Sequence, residues 1–424
     1  MKFILGIFLG MMSLFSCHSF KDQSLEFALR CAGDNRGELE KVLQYYRSDS
    51  LKWEAAKFLI TNMTYHSGFC DTLFTPDGES YMPDISHPGH DEAQIKSTFD
   101  SLFHCGFYVK RTKKRDIEII TSDFLIDNID RAFEVWEKAW AKNISFDDFC
   151  QYILPYRSSN EPLCHLRKTV QERYLPVLDS AGVSSPVEAC MLLNDLLKDT
   201  LNFVGILPVY PTVELADKYK QSNCEGLALY FTFLLRAVGI PVALDCTTWA
   251  KSEDGHFWCA VMDTTRQWHS FGAGELSCEE HKKWFSEKRM LIPPKVYRCL
   301  FMPEPLETDV KDDGYRTYVK NPFFKDVTAS YYVPPVDIVL DLSTNQENET
   351  KEKRYIYLCA SSINHYQILA LGTRCGRKCI VKDVVGDNTF VLAESLDGET
   401  LHFLTDTFYV DKSGRIKGPD VIGQ

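Results

Sequence analysis

From Asn223 to Ala237 the chain carries one apolar helical pattern, with Leu227, Tyr230, Phe231, Leu234 and Leu235 at helical spacing, and Gly239 and Pro241 end it. Alternating apolar stretches follow at Val242 to Trp249, His256 to Met262 and Gln267 to Phe271, separated by Lys-Ser-Glu-Asp-Gly and Asp-Thr-Thr-Arg turns. A helix that leads straight into antiparallel strands predicts a core of the α+β class. At 424 residues the chain is too long for a single core, so two or three domains are expected.

Upstream the pattern is helical. Leu25, Phe27, Ala28 and Cys31 share a face, Asp34 or Asn35 can cap the next helix, and Leu51 to Met63 forms another. Gly68 to Asp91, rich in Pro, Gly, Asp and His, has no period and reads as a surface excursion. Gly106 to Thr121 reads as a hairpin turning at Lys113 and Lys114, which makes the basic run Lys110 to Arg115 a solvated turn. Ser122 can cap a helix through Trp136 and Trp140, both core residues. Ser145 and Ser185 start two more, the latter with Pro186 in its first turn. Beyond Pro293 strand patterns dominate (Tyr297 to Phe301, Tyr355 to Ala360, Tyr366 to Leu371, Thr389 to Leu392, His402 to Phe408), interrupted by a charged linker, Ser343 to Lys353. The expected division is a signal segment at 1–16, a helical N-terminal region at 17–158, a helix-plus-sheet core at 159–295 and a C-terminal β domain of sandwich type at 296–424.

The N-terminus reads as an address. Lys2 precedes an apolar stretch, Phe3 to Met12, too short to span a bilayer, and Leu14-Phe15-Ser16-Cys17 follows. That tetrapeptide resembles a bacterial lipobox, in which the cysteine is acylated, so Cys17 is the expected lipidation site. The alternative is a plain secretory signal cleaved nearby. The lipidated reading places the mature chain in the bacterial envelope, periplasmic or on the outer-membrane surface, tethered to a membrane. A net charge of −12 argues against nucleic acid as a partner.

Fifteen cysteines are scattered rather than set at framework spacing. Pairs among Cys31, Cys70, Cys105, Cys150, Cys164 and Cys190, or buried free thiols, are both open. Cys375 and Cys379 make a hairpin staple or two free thiols rather than a zinc site, and His87 and His90 read as surface histidines. No metal and no organic cofactor is called for.

One cysteine stands apart. Cys224 begins the apolar helix, where unpaired N–H groups and the helix dipole favour an anion. His256 opens a strand in Gly255-His256-Phe257-Trp258, so a base on a stiff element follows a thiol on a helix. N–H groups at the helix start would form part of an oxyanion hole, with Tyr210, Tyr219 and Gln221 as unranked further partners. Cys246 and Cys259 sit in apolar strand context and read as packing residues.

The segment from Ser222 to Glu275 resembles the transglutaminase-like superfamily, of papain-like fold. It carries Cys224 to Ala228, Leu235-Arg236-Ala237-Val238-Gly239-Ile240-Pro241 and Gly255-His256-Phe257-Trp258 at the family's spacing. Ile144-Ser145-Phe146-Asp147-Asp148-Phe149-Cys150 and Ile153-Leu154-Pro155-Tyr156-Arg157 look like a group of Bacteroides-type transglutaminase-like lipoproteins. The resemblance implies a thiol hydrolase or acyl transferase, with Cys224 as nucleophile and His256 as base. Peptide, protein or cell-wall peptide substrates are expected. The alternative is a catalytically inactive lipoprotein that binds a peptide or glycan.

The family's usual Asp on the next strand is missing from Trp268 to Glu275. If the hairpin turns between Thr264 and Thr265, position 273 lies opposite His256, and Glu275 becomes its diagonal same-face neighbour and the acid within reach. Asp263, in the turn, is expected to point away. A Cys–His dyad without an acid stays open, and an exposed strand histidine is the reading for His269.

Overall fold

A computed structural model describes residues 25–86, 91–205, 207–252, 254–287, 292–304, 319, 321–342, 355–361, 366–375, 377–395 and 401–418. Cys17 and its apolar segment, His87, His90 and the linker Ser343 to Lys353 lie outside the described residues. By compactness the chain divides into two units that alternate along the sequence. The first runs through Ser184 and adds Ile206–Tyr219 and Phe233–Pro241; the second comprises Ser185–Gly205, Lys220–Thr232 and Val242–Gln424. Among the described residues no helix is long and apolar enough to cross a membrane.

After a helical turn region at 25–31, the helices are α1 (Arg36–Tyr45), α2 (Ser50–Met63), α3 (Glu92–His104), α4 (Asp116–Ile119), α5 (Ser122–Trp136), α6 (Phe146–Tyr152) and α7 (Arg167–Ala181). Then come α8 (Pro186–Lys198), α9 (Val213–Tyr219), α10 (Cys224–Ala237) and α11 (Cys278–Glu287). Their starts follow capping chemistry. Ser145 accepts from Asp148 N–H, and Ser185 with Glu188 forms a capping box. Thr121 rather than Ser122 caps α5.

The first unit holds a three-stranded sheet, β1 (Ser67–Phe74), β2 (Ser80–Tyr81) and β3 (Tyr108–Arg115), in the order β2-β1-β3. It corrects two expectations. Residues from Ser67 are strand rather than surface excursion, and Gly106 to Thr121 is no hairpin: Tyr108–Arg115 is one strand and Asp116–Ile119 a helical turn. The partners run from Ser67 opposite Arg115 to Phe74 opposite Tyr108, so the pairing is long-range and leaves no local hairpin signal. The basic run lies along β3, largely exposed, and Arg111 clasps Asp71 at 2.7 and 2.8 Å.

Below that sheet, Arg157 binds both oxygens of Asp116 at 2.6 Å, and the Tyr156 hydroxyl donates to the same carboxylate at 3.0 Å. Both charges are buried, so removing either would strand the other. Trp140 is core as expected, its indole N–H donating to the Val238 carbonyl at 2.8 Å, whereas Trp136 is half-buried, its indole N–H donating to the Ile144 carbonyl at 3.0 Å.

The second unit begins with a short parallel pair, β4 (Asn202–Phe203) and β5 (Gln221–Ser222). Its core sheet has β6 (Val242–Thr248), β7 (Gly255–Met262), β8 (Trp268–Phe271), β9 (Tyr297–Cys299) and β10 (Phe324–Asp326), in the antiparallel order β10-β9-β6-β7-β8. The strand at Tyr297, grouped from sequence with the C-terminal strands, pairs here with β6. Gly255 is required where it stands, because a Cβ there would lie 2.7 Å from the Thr247 carbonyl oxygen.

The C-terminal strands are β11 (Val336–Asp341), β12 (Tyr355–Ser361), β13 (Tyr366–Cys375), β14 (Lys378–Val384), β15 (Asn388–Ser395), β16 (His402–Phe403), β17 (Phe408–Val410) and β18 (Ile416–Lys417). They form one antiparallel sheet, β11-β14-β13-β12-β15-β17-β18, with β16 on β15. Alternation buries both its faces. Ile356, Leu358, Phe390 and Leu392 enter one cluster, while Tyr357, Cys359, Val391 and Ala393 pack with Cys246 and Tyr297 of the core sheet. The chain is therefore α+β, and the second layer of its sandwich is the core sheet.

Candidate active site

The start of α10 is built for a thiol. Asn223 Oδ1 accepts from Gly226 N–H at 2.9 Å, which caps the helix, and two further backbone N–H groups, those of Glu225 and Phe257, donate to the Cys224 sulfur. Phe257 follows His256 on β7, so the sulfur sits against the peptide next to the predicted base. Lys220, just upstream, holds a positive φ of 55°, a strained entry into β5.

Every cysteine among the described residues is a free thiol, so none of the open disulfide pairings forms, and Cys375 and Cys379 make no staple. Cys246 and Cys259 are buried packing residues, as expected. Burial pushes several of these thiols far up, Cys150 and Cys278 to about 12. Cys224 is partly exposed and combines access, a helix start and two N–H donors. Its thiol is nonetheless raised above the ordinary cysteine value: burial and the charges of Glu225 and Glu275 outweigh the N–H groups.

His256 stands in a ring of indoles. Its imidazole centroid lies 5.9 Å from Trp249, 5.6 Å from Trp258 and 5.7 Å from Trp284. Burial lowers its pKa from 6.5 to about 4. The pair thus rests as neutral thiol and neutral imidazole, not as an ion pair. Cys259, three residues along β7, packs on α10, where its thiol donates to the Ala228 carbonyl at 3.3 Å. No hydrogen bond joins the Cys224 sulfur to the His256 ring.

The expected hairpin register is off by one. Cys259 pairs with Phe271 and Met262 with Trp268, which leaves Thr264, Thr265 and Arg266 as a three-residue loop. The cause is Asp263, whose Oδ1 accepts from Thr265 and Gln267 N–H and admits Arg266 at a φ of 66°. Asp263 and His269 pair with each other at 2.9 Å, so His269 is no free surface residue. Strand β8 then ends at Phe271, and the chain turns back through a Gly272–Leu276 bridge held by Asn194, whose Oδ1 takes Gly274 N–H at 2.9 Å. Glu275 lies in that turn. It bears on the Cys224 thiol and makes no hydrogen bond to His256. Burial raises its pKa.

Of the unranked oxyanion candidates, Tyr219 donates to the Pro83 carbonyl at 3.3 Å and Tyr210 N–H donates to Asp71, both within the first unit. Gln221 is buried on β5, three residues before Cys224.

Residues 178–273 match the family model of the transglutaminase-like superfamily. This segment is a transglutaminase-like core. A solved structure of a candidate cysteine protease from Cytophaga hutchinsonii is similar at 16% identity and a TM-score of 0.22, covering 26% of this chain and 37% of that one. The chain therefore spans well under two thirds of that relative's length. The search of curated proteins gives no match.

Sequence reasoning missed His281 and the Trp249 and Trp284 rings. His281 and Trp284 share a face of α11 at i,i+3 spacing, and that was the legible signal. It also missed the network behind Trp258. The indole N–H donates to the Tyr331 hydroxyl at 2.7 Å, which donates to Asp245 at 2.5 Å. Arg298 binds both oxygens of Asp245 at 2.8 Å and lies 3.6 Å over the Trp268 ring.

Proposed function

We propose that this protein is a thiol-dependent amide or peptide-bond hydrolase, or an acyl transferase, of the transglutaminase-like class. The supporting observation is the Cys224 sulfur held at a helix start by the Phe257 N–H, one peptide from His256. Cys224 Sγ attacks a carboxamide or peptide carbonyl and gives its proton to His256, and the N–H groups of the helix start take up the oxyanion. The C–N bond breaks and the amine leaves with that proton. Water, or an acceptor amine, then releases the acyl group from sulfur, with His256 as base again.

Peptides, protein side-chain amides and cell-wall stem peptides all present that bond. An envelope site, with Cys17 lipidated, accords with them and remains part of this proposal. A second reading, a silent peptide- or glycan-binding module, is favoured by the absence of a carboxylate hydrogen bond on His256. A peptide vinyl sulfone library, read by intact mass and peptide mapping, separates the two. The enzyme reading expects stoichiometric labelling at Cys224 that the His256→Ala variant loses; equal labelling of Cys224 in that variant supports the silent module.

A further inference from the structure

The strand acid is absent, but a second imidazole lies on the same face of the sheet. By continuation of the β7–β8 register, Gly272 falls opposite Trp258, on the face that carries His256, and a Cβ there would meet Leu276 at 3.1 Å. One pairing away on the same face is Ser270, opposite Ala260. His281 of α11 sits over it, with its Nδ1 at 3.0 Å from the Ser270 Oγ, which lies 3.5 Å from the Tyr332 hydroxyl.

The His281 ring is 1% exposed, and its Nε2 is a buried polar atom with no partner among the described residues. An unsatisfied buried polar atom is destabilising, and its presence marks a functional or hydrated position. The same two indoles flank both imidazoles. His281 lies 5.9 Å from Trp258 and 5.8 Å, in parallel, from Trp284, the rings that also flank His256 at 5.6 and 5.7 Å. The two rings are near enough for the charge of His256 to help depress His281.

We propose that His281 takes the part of the missing acid as a positioning residue, accepting at its Nε2, across one bridging water, the hydrogen bond that sets the His256 tautomer. This rests on the catalytic reading of Cys224 and His256. With its Nδ1–H donated to Ser270 Oγ, His281 presents a lone pair at Nε2. The water donates to that lone pair and accepts the outer N–H of His256, which frees the inner nitrogen to receive the Cys224 proton. A neutral acceptor orients the base without stabilising an imidazolium, which matches a pair that rests uncharged.

The test uses the full chain and p-nitrophenyl acetate, following acylation at Cys224 by mass mapping from pH 6 to 9. His281→Phe keeps a ring between the indoles and removes both nitrogens, while His281→Gln restores a hydrogen-bonding tip. Expected is a drop of about tenfold or more in the neutral-pH rate for His281→Phe, recovered in part by His281→Gln, with melting temperature recorded for both. Wild-type rates in a folded His281→Phe variant overturn the proposal, as does a loss that His281→Gln leaves unrelieved. His256→Ala distinguishes the two levels. If it acylates like the wild type, the catalytic reading itself fails; if it is slow while His281→Phe is not, only the role of His281 fails.

Discussion

Lowering the pH from 7.5 to 5 should destabilise the second unit, because the folded state disfavours the charge of two imidazoles, the buried His281 and the half-buried His256. In the unfolded chain both titrate near the ordinary histidine value of about 6.5. Folded, His256 is held at about 4 and His281 at about 3, chiefly by burial. Between those values the unfolded state binds the protons and the folded state does not. Their contribution is therefore complete above pH 6.5 and is lost as pH falls toward the folded values. At pH 5 the gap to the unfolded pKa is about 1.5 units for each ring, worth about 2 kcal/mol apiece. The figure does not depend on the folded values so long as both lie below 5. Urea unfolding followed by tryptophan fluorescence is a suitable assay, since Trp249, Trp258 and Trp284 surround the rings. His281→Phe removes one titration, so its loss of stability from pH 7.5 to 5 should be smaller than that of the wild type by about 2 kcal/mol. An identical pH dependence in the two proteins would refute the reasoning.

Other outcomes follow from single contacts. Asp245→Ala leaves Arg298 buried without its carboxylate and cuts the Tyr331 link to Trp258; a loss of about 3–5 kcal/mol in urea unfolding is expected, and one below about 1 kcal/mol would contradict it. Gly255→Ala drives a methyl into the Thr247 carbonyl at 2.7 Å, which should destabilise by about 2 kcal/mol or more and displace His256; thermal melting checks it, and an unchanged melting temperature counts against it. Asn223→Ala removes the cap bond to Gly226 N–H and should cost about 1 kcal/mol in the same unfolding assay, against no change if the cap is idle.

Much of the core was legible because its signals are local. The helix from Cys224, its stop at Gly239 and the strands at Val242, Gly255 and Trp268 each announce themselves by period and turn residues within a short window. The sheet of the first unit was not, since Ser67–Phe74 finds its partner at Tyr108–Arg115 and neither strand carries a clean alternation. At the site, one αL residue, Arg266, shifted the hairpin by a position and moved Glu275 from the imidazole to the thiol. No pattern reading weighs a side chain such as Asp263 that folds back on its own loop. His281 escaped for a different reason, because its role depends on a helix docking over β8. Tyr156 and Arg157, which stood out in the sequence, proved to be the partners of a buried carboxylate.

The central claim is a neutral thiol served by a neutral imidazole, and the pH dependence of Cys224 acylation by p-nitrophenyl acetate tests it most directly. With His256 already deprotonated above about 4, the wild-type rate should be level across neutral pH, whereas His256→Ala should rise about tenfold per pH unit as only the thiolate reacts. A wild-type rate that climbs with the same slope as the variant would contradict the account, because the imidazole would then be taking no proton from the sulfur.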